Sequence, residues 1–284
     1  MGKAGKALKI ILLGLGSIGQ RHARNLHALG HHVIAADPFV AAPEPNGVVT
    51  LFYRDWRRAL AEHGDAQGCV IASPTAEHHA QLLFATFGNS QAIPVYIEKP
   101  IMTAEQYGFF SFKADILTIS NQPYKIVTGF QYLFHPAMPT VRELARQYGE
   151  LSFVGRDNLL ARYGPDVDGV MVAHPVRTSL ALLGPALDVS LISDGVCLTG
   201  HIFHKGGTSH YDFDMGSGPR ESWVRANGAE VALTPDDGMY VAALAAWTTW
   251  LAGGPRDPRL SSLSDGLEVT RVLSKVSHYD HASA

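Results

Sequence analysis

The sequence predicts an α/β chain in two parts. Residues 1–129 read as a doubly wound parallel sheet, and 130–284 as an α+β domain built on a mostly antiparallel open sheet. Three observations predict this. Up to about residue 130, short apolar runs alternate with helical patterns. Beyond it the runs become alternating and turn-separated, the texture of an antiparallel sheet. Between the first run and the first helix stands "GLGSIG", a glycine pattern for a tight strand-to-helix turn. With 284 residues, 46% hydrophobic and 17% charged, the chain is long enough for two domains with real cores.

The expected strands of the first part are 8–14 (LKIILLG), 32–37 (HVIAAD), 68–72 (GCVIA), 94–98 (PVYIE) and 125–130 (KIVTGF). Such short, continuously apolar runs belong to strands buried on both faces, and the helices that cover them are expected at 18–29, 54–63, 76–87 and 103–113. In the second part, helices are expected at 138–148 and 172–183. Strands such as "HYDFDMG" and "ESWVRANG" fall within 186–233, and two last helices at 238–252 and 265–278 flank the turn "GGPRDP".

Composition excludes several classes. A formal net charge of −3 without a basic block gives no reason to expect nucleic acid. No apolar run reaches the length that spans a bilayer, so no membrane is expected. The N-terminal "LKIILLGLG" leads into a glycine turn, not a small-residue cleavage site, and reads as a buried strand. Cys69 and Cys197 are far apart, and Cys69 reads as a buried free thiol, which points to reducing cytoplasm. Fourteen histidines raise the question of a metal. His201 and His204 would point to opposite faces of a strand, and His210 completes no defensible ligand set, so no metal is expected. His31, His32, His78 and His79 read most simply as solvated helix-end or loop residues.

Gly14, Gly16 and Gly19 have G-x-G-x-x-G spacing after a strand and at the start of a helix. Gly14 permits the turn, Gly16 lets backbone approach a pyrophosphate, and Gly19 lets helix pack on strand. The N–H groups at Ser17 and Ile18 meet the phosphate charge. Asp37 ends the second strand about twenty residues on, where an acid accepts from the adenosine ribose hydroxyls. Pro38 follows it, with no adjacent arginine or serine for a 2′-phosphate, so NAD is expected over NADP. Ser73, Pro74 and Thr75 end a further strand, and Glu98 and Lys99 end the next, on the same carboxyl edge.

"GLGSIGQRHARNL", "ASPTAEHH", "EKP" and "GFQYLFHP", in this order, resemble the Gfo/Idh/MocA oxidoreductases, and "SDGLEVTRVL" is similar to that family's last helix. Within the family the likeness is to members of surface-polysaccharide and sugar-nucleotide pathways. The resemblance implies a Rossmann domain and a C-terminal α/β domain whose open sheet often forms the interface of a homodimer or homotetramer. It implies NAD held by the glycine loop with Asp37, Pro38, Ser73, Pro74, Thr75, His78, Glu98, Lys99 and Gln131. It also implies a sugar-like substrate against Tyr132, His135 and Arg177, with Lys99 and His174 catalytic. Desolvation and a nearby nicotinamide cation would lower the lysine's pKa, so that it exchanges a proton with the reacting hydroxyl. Pro100 would fix its turn. Without the motif, Lys99 reads as a surface lysine at a strand end.

The chain departs from the family in places. Many members carry an aspartate four residues before the histidine, where this chain has Val170, and some an acid three residues after it, where Arg177 stands. His174 therefore lacks the acid that would orient it, and a capping or packing role is an equal reading. Arg177 either reads a phosphate or carboxylate or is simply solvated. Gln131 and Leu133 stand where relatives often have asparagine and arginine. The expected activity is hydride transfer between nicotinamide and a hydroxyl or keto carbon of a sugar, cyclitol or nucleotide-linked sugar. The alternatives are a non-catalytic dinucleotide-binding sensor or scaffold, and a reductase of an imine or conjugated double bond.

Overall fold

The computed structural model describes residues 6–40, 47–122, 124–158, 172–216 and 218–278. In chain order the elements begin with β1 (Lys9–Leu13), α1 (Ser17–Ala28), β2 (His32–Ala36), β3 (Leu51–Tyr53), α2 (Trp56–Glu62) and β4 (Gly68–Ile71). Then come α3 (Thr75–Phe87), β5 (Val95–Glu98), α4 (Ala104–Gly108), α5 (Phe110–Ser120) and β6 (Ile126–Gly129). After a 3₁₀ turn at Gln131–Phe134 follow α6 (Met138–Tyr148), β7 (Glu150–Arg156), α7 (Ala173–Leu183), β8 (Ala186–Ser193) and β9 (Cys197–His204). The rest are β10 (Gly207–Asp214), β11 (Glu221–Ala226), β12 (Ala229–Ala232), α8 (Asp237–Leu251), β13 (Ser261–Ser262), α9 (Leu263–Leu273) and β14 (Ser277–His278). They form two compact units: Met1–Phe130 with Tyr240–Leu267, and Gln131–Met239 with Glu268–Ala284.

The first unit's sheet runs β3-β2-β1-β4-β5-β6, all parallel, with β13 added antiparallel to β6. Its order reverses between β1 and β4, and the carboxyl edge at such a switch point is where open α/β sheets bind ligands. The strands form because their runs are buried on both faces: every residue of GCVI, VYIE and IVTG is buried. α1 buries Gly19, His22, Ala23 and Leu26, an i, i+3, i+4, i+7 stripe. Asp55 caps α2 through the Arg57 N–H, and Thr103 with Gln106 makes a capping box on α4.

The second unit's sheet runs β12-β11-β7-β10-β9-β8-β14, antiparallel except for β7 with β10 and β8 with β14. α6 packs on β7 and β11, and α7 on β10. The covered face holds Leu151, Phe153, Leu198, Ile202, Tyr211, Phe213 and Val224. The register places Val154, Ile192, His201, Phe203, His210 and Trp223 on the opposite, open face, where Ile192 and Phe203 are exposed. The fold class is thus the expected one, a parallel doubly wound sheet and an α+β unit on a mostly antiparallel sheet.

The boundaries differ from the sequence reading in instructive ways. The reading gives all of 130–284 to the second part, yet Tyr240–Leu267 clusters with the first unit. The reason is packing: Trp247 is fully buried, its ring edge-on to Tyr96 at 5.6 Å between centroids. β3 and β13 join the first sheet and β7 and β14 the second, and none of these is among the expected strands. β3, β13 and β14, of two or three residues each, are too short to show a period. The helix expected at 103–113 is two, α4 and α5, because the backbone of Phe109 between them is extended.

Gly68 is where α8 meets the sheet. A Cβ there would lie 2.7 Å from the Trp247 ring and 2.9 Å from Leu251. Gly68→Ala should therefore destabilise the chain by about 1–3 kcal/mol, the cost of overpacking a filled core, read as a lower urea midpoint with unchanged slope.

Candidate functional site

The glycine turn lies directly on the end of β4. Gly14 has φ +93°, and a Cβ there would sit 2.6 Å from the Ser73 nitrogen and 2.7 Å from the Ala72 carbonyl. A Cβ at Gly19 would run into the Gly14 carbonyl oxygen, so this glycine lets α1 start against β1. Gly16 is different: it is exposed, and nothing lies within 4 Å of where its Cβ would be. Gly16 is the N-cap of α1 and brings no side-chain cap, and the first turn has no acid. The first-turn N–H groups at Ser17 and Ile18 thus lack intrahelical partners beside open backbone. This cradle fits a diphosphate.

Asp37 closes the same turn from β2. Its Oδ2 accepts from Leu15 N at 2.8 Å, and its Oδ1 from Phe39 N at 2.8 Å and Val40 N at 2.9 Å. Burial raises the carboxyl's pKa, but these three N–H donors and the Arg54 guanidinium outweigh it and hold the group below the usual carboxylate range. Sequence reasoning missed Arg54. From the end of β3, its Nη1 donates to the carbonyls of Pro38 at 3.0 Å and Val40 at 2.9 Å, fastening the loop behind Asp37. The signal lay in β3, whose three residues hide it. Phe39, 89% exposed, offers a bare ring beside the acid.

On the other side of the switch point, Pro74 is the N-cap of α3 and Thr75 its first residue. The Ser73 hydroxyl donates to Gln81 Oε1 at 2.7 Å. His78 is buried, which corrects its reading as a solvated helix-end residue. One turn into α3, it has turned inward to bridge two loops, with Nε2 2.9 Å from the Ser73 carbonyl and Nδ1 3.0 Å from that of Pro100. Burial pushes its pKa down, against the pull of the two carbonyls and of Glu98. A neutral ring donates to only one of these carbonyls at a time. His79 is mostly covered as well, with Nε2 3.0 Å from Asp115. Lys99 is half-buried at the end of β5, and its peptide bond to Pro100 is cis. Glu98 is buried, 2.7 Å from His22 Nε2. The sequence reading assigned His22 no role, although a histidine on the apolar stripe of α1 was the signal.

Within the second unit, Gln131 and Tyr132 lie on one buried 3₁₀ turn. The Tyr132 ring stacks on the buried His174 ring, 4.4 Å between centroids and 3° from parallel. Burial raises the Tyr132 pKa, while Ser222, 3.5 Å from its hydroxyl, and Arg220 pull the other way. Arg220 pairs with Asp157 at 3.4 Å, and none of these three was singled out from sequence. Arg177, one turn beyond His174 on α7, is half-buried. His135 is committed locally, with Nε2 3.2 Å from the Thr234 carbonyl and Nδ1 accepting from Ala137 N at 3.2 Å. Val170 lies outside the described residues. Among the described residues no three His, Cys, Asp or Glu side chains group to hold a metal ion, and no helix is long and apolar enough to cross a membrane.

The Asp37 carboxylate is more acidic folded than unfolded. It therefore adds stability above about pH 4 that is lost as pH falls through the lowered folded value. Asp37→Asn should flatten that slope, so the variant's urea midpoint should fall less between about pH 5 and pH 3 than the native chain's.

No protein-family model matches the sequence, and no curated protein matches it. Solved structures do. The chain is similar to the WlbA (WbpB) dehydrogenase from Thermus thermophilus, in complex with NAD and UDP-GlcNAcA, at 17% identity and TM-score 0.74, covering 96% of this chain and 97% of that one. It is similar to scyllo-inositol dehydrogenase from Lactobacillus casei, with bound NAD(H) and scyllo-inositol, at 15% identity and TM-score 0.72, covering 95% and 96%. A third is the UDP-N-acetylglucosamine 3-dehydrogenase GnnA from Acidithiobacillus ferrooxidans, at 15% identity and TM-score 0.68, covering 95% and 96%. At these identities the likeness is one of fold, and this chain has the fold of those dehydrogenases.

Proposed function

We propose that the chain is an NAD-dependent oxidoreductase acting on a hydroxyl or keto carbon of a sugar, cyclitol or nucleotide-linked sugar. The observation that carries this reading is the carboxyl edge of the first sheet. An uncapped helix start beside open Gly16, a pinned Asp37 and a half-buried Lys99 all stand there. The fold is that of dehydrogenases solved with NAD and a sugar nucleotide or a cyclitol, which supports the same substrate class.

In this reading Ser17 and Ile18 hold the diphosphate, and Asp37 accepts from the adenosine ribose. Ser73, Pro74, Thr75, His78, Glu98 and Gln131 shape the remainder of the cofactor seat. NAD is favoured over NADP because the acid meets the ribose, while Arg54 has its Nη1 on backbone carbonyls. Bound nicotinamide supplies the hydride acceptor or donor. Lys99 takes the hydroxyl proton in oxidation and returns it in reduction. His174, held flat by Tyr132, is a second acid or base, and Arg177 meets a charged or polar group of the substrate. The open sheet face, with Ile192 and Phe203 exposed, supports a homodimer or homotetramer.

Lys99→Ala should keep NAD affinity within about 3-fold and lower turnover by roughly 10²–10⁴-fold. The measurement is absorbance of reduced nicotinamide over a panel of sugars, cyclitols and UDP-sugars. Native turnover in the variant removes Lys99 from the mechanism. NAD binding without turnover of any panel member, in either direction, indicates a sensor. Activity only towards reduction that survives the substitution indicates an imine or double-bond reductase. Phe203→Glu should shift the light-scattering mass of the native chain towards the monomer.

A further inference from the structure

The buried stripe of α1 carries Gly19, Ala23 and Leu26, and one polar residue, His22. Its Nε2 is 2.7 Å from Glu98 Oε1, and both side chains are shut away from water. Tyr96 stands edge-on to the imidazole at 5.6 Å and Tyr240 at 6.3 Å, and the Arg21 guanidinium lies over the Tyr240 ring at 4.7 Å. The second nitrogen, Nδ1, is buried and has no hydrogen-bond partner among the described residues. The ring proton therefore belongs on Nε2, where it is donated to the carboxylate.

Helix-on-sheet packing has no need of this pair. Apolar side chains at both positions, 22 and 98, would fill this space without desolvating a carboxylate, and a buried polar pair is often no better for stability than apolar side chains of similar volume. The two partners differ in what they adjoin. His22 follows Gly19 by three residues, in the helix whose first turn lies at the diphosphate cradle. Glu98 is the residue before Lys99. The same turn is gripped again one residue past the lysine, where the Pro100 carbonyl meets His78. Groups that face Glu98 include His22 from α1 and His78 from α3.

We propose that His22 is a positioning residue. Its bond to Glu98 tethers the glycine-loop helix to the Lys99 turn, so that seating the cofactor and aiming the lysine are one event. The inference rests on the NAD-dependent reading above, and it assigns His22 no contact with cofactor or substrate. A misplacement of about 1 Å at a reacting group costs on the order of 100-fold in rate, which is a reason to hold the turn by a buried charge-assisted bond.

The test compares the full-length native chain with His22→Gln, whose amide can still donate to Glu98, and His22→Met, which cannot. Amide hydrogen exchange is followed by mass spectrometry in peptides covering 99–103 and, as controls, β1 and β6, with the NAD dissociation constant measured by calorimetry. In His22→Met, exchange at 99–103 should quicken about 10-fold with the controls unchanged, and NAD should bind about 10-fold more weakly, the size expected for a lost charge-assisted hydrogen bond. His22→Gln should restore both. Should His22→Met fail to fold, Glu98→Leu carries the same exchange comparison. Exchange that stays native at 99–103, or quickens equally across the first unit, overturns the tether. The two failures separate, because a native chain that takes up no NAD sinks the cofactor reading, whereas the exchange pattern judges the tether by itself.

Discussion

At Gly14 the turn after β1 lies against the peptide joining Ala72 to Ser73, so near that a methyl group would sit 2.6 Å from the Ser73 nitrogen. At Gly19 the helix that follows crosses the Gly14 carbonyl at a distance no side chain permits. Backbone therefore meets backbone on both sides of one turn, and that closeness fixes where α1 starts. It also brings Ser73 beside the turn. Gly16, between them, is spared any such contact, and there the chain leaves space. Two glycines serve packing and one serves access, which separates this turn from an ordinary glycine-rich connection.

The close approach concentrates polar groups along one edge of an otherwise apolar sheet. Asp37, His78 and Glu98 are all buried there, and each is held by named partners. Burying them costs free energy that the fold has no structural need to spend. Asp37 offsets its desolvation with three backbone donors, and Glu98 with the imidazole of His22. His78 meets two carbonyls. Each of the three side chains makes at least one bond between separate segments: Asp37 joins the end of β2 to the glycine turn through Leu15 N, Glu98 joins β5 to α1, and His78 joins the loop after β4 to the loop after β5. The polar groups are the cross-ties of the edge.

The legible part of this chain is the part with a period or a spacing. Runs such as GCVI and VYIE declare strands buried on both faces, and the glycine turn and Asp37 declare the edge where a ligand belongs. What was not legible has physical reasons. β3, β13 and β14 are too short for alternation to register, and with β3 went Arg54. The return of Tyr240–Leu267 to the first unit depends on Trp247 finding Gly68 and Tyr96, a match of shape between distant segments that no local pattern encodes. His78 and His79 looked solvated because histidine beside a helix start usually is. Only the fold reveals that His78 has two carbonyls to bridge. His22 breaks an apolar stripe, a local inconsistency that the sequence reading passed over.

In the second unit the contrast between a carboxylate and an aromatic ring bears on chemistry. A carboxylate behind a histidine fixes which nitrogen carries the proton, turns the ring and makes it more basic. The positions four residues before His174 and three after it hold Val170 and Arg177, neither of them an acid. Tyr132 stacks on His174, 3° from parallel. Stacking sets the plane of the ring but is indifferent to the tautomer and supplies no negative charge. Under the proposed reading the proton leaving the substrate hydroxyl goes to Lys99. The Lys99 turn is held on both sides of the lysine, with Glu98 bonded to His22 and Pro100 to His78.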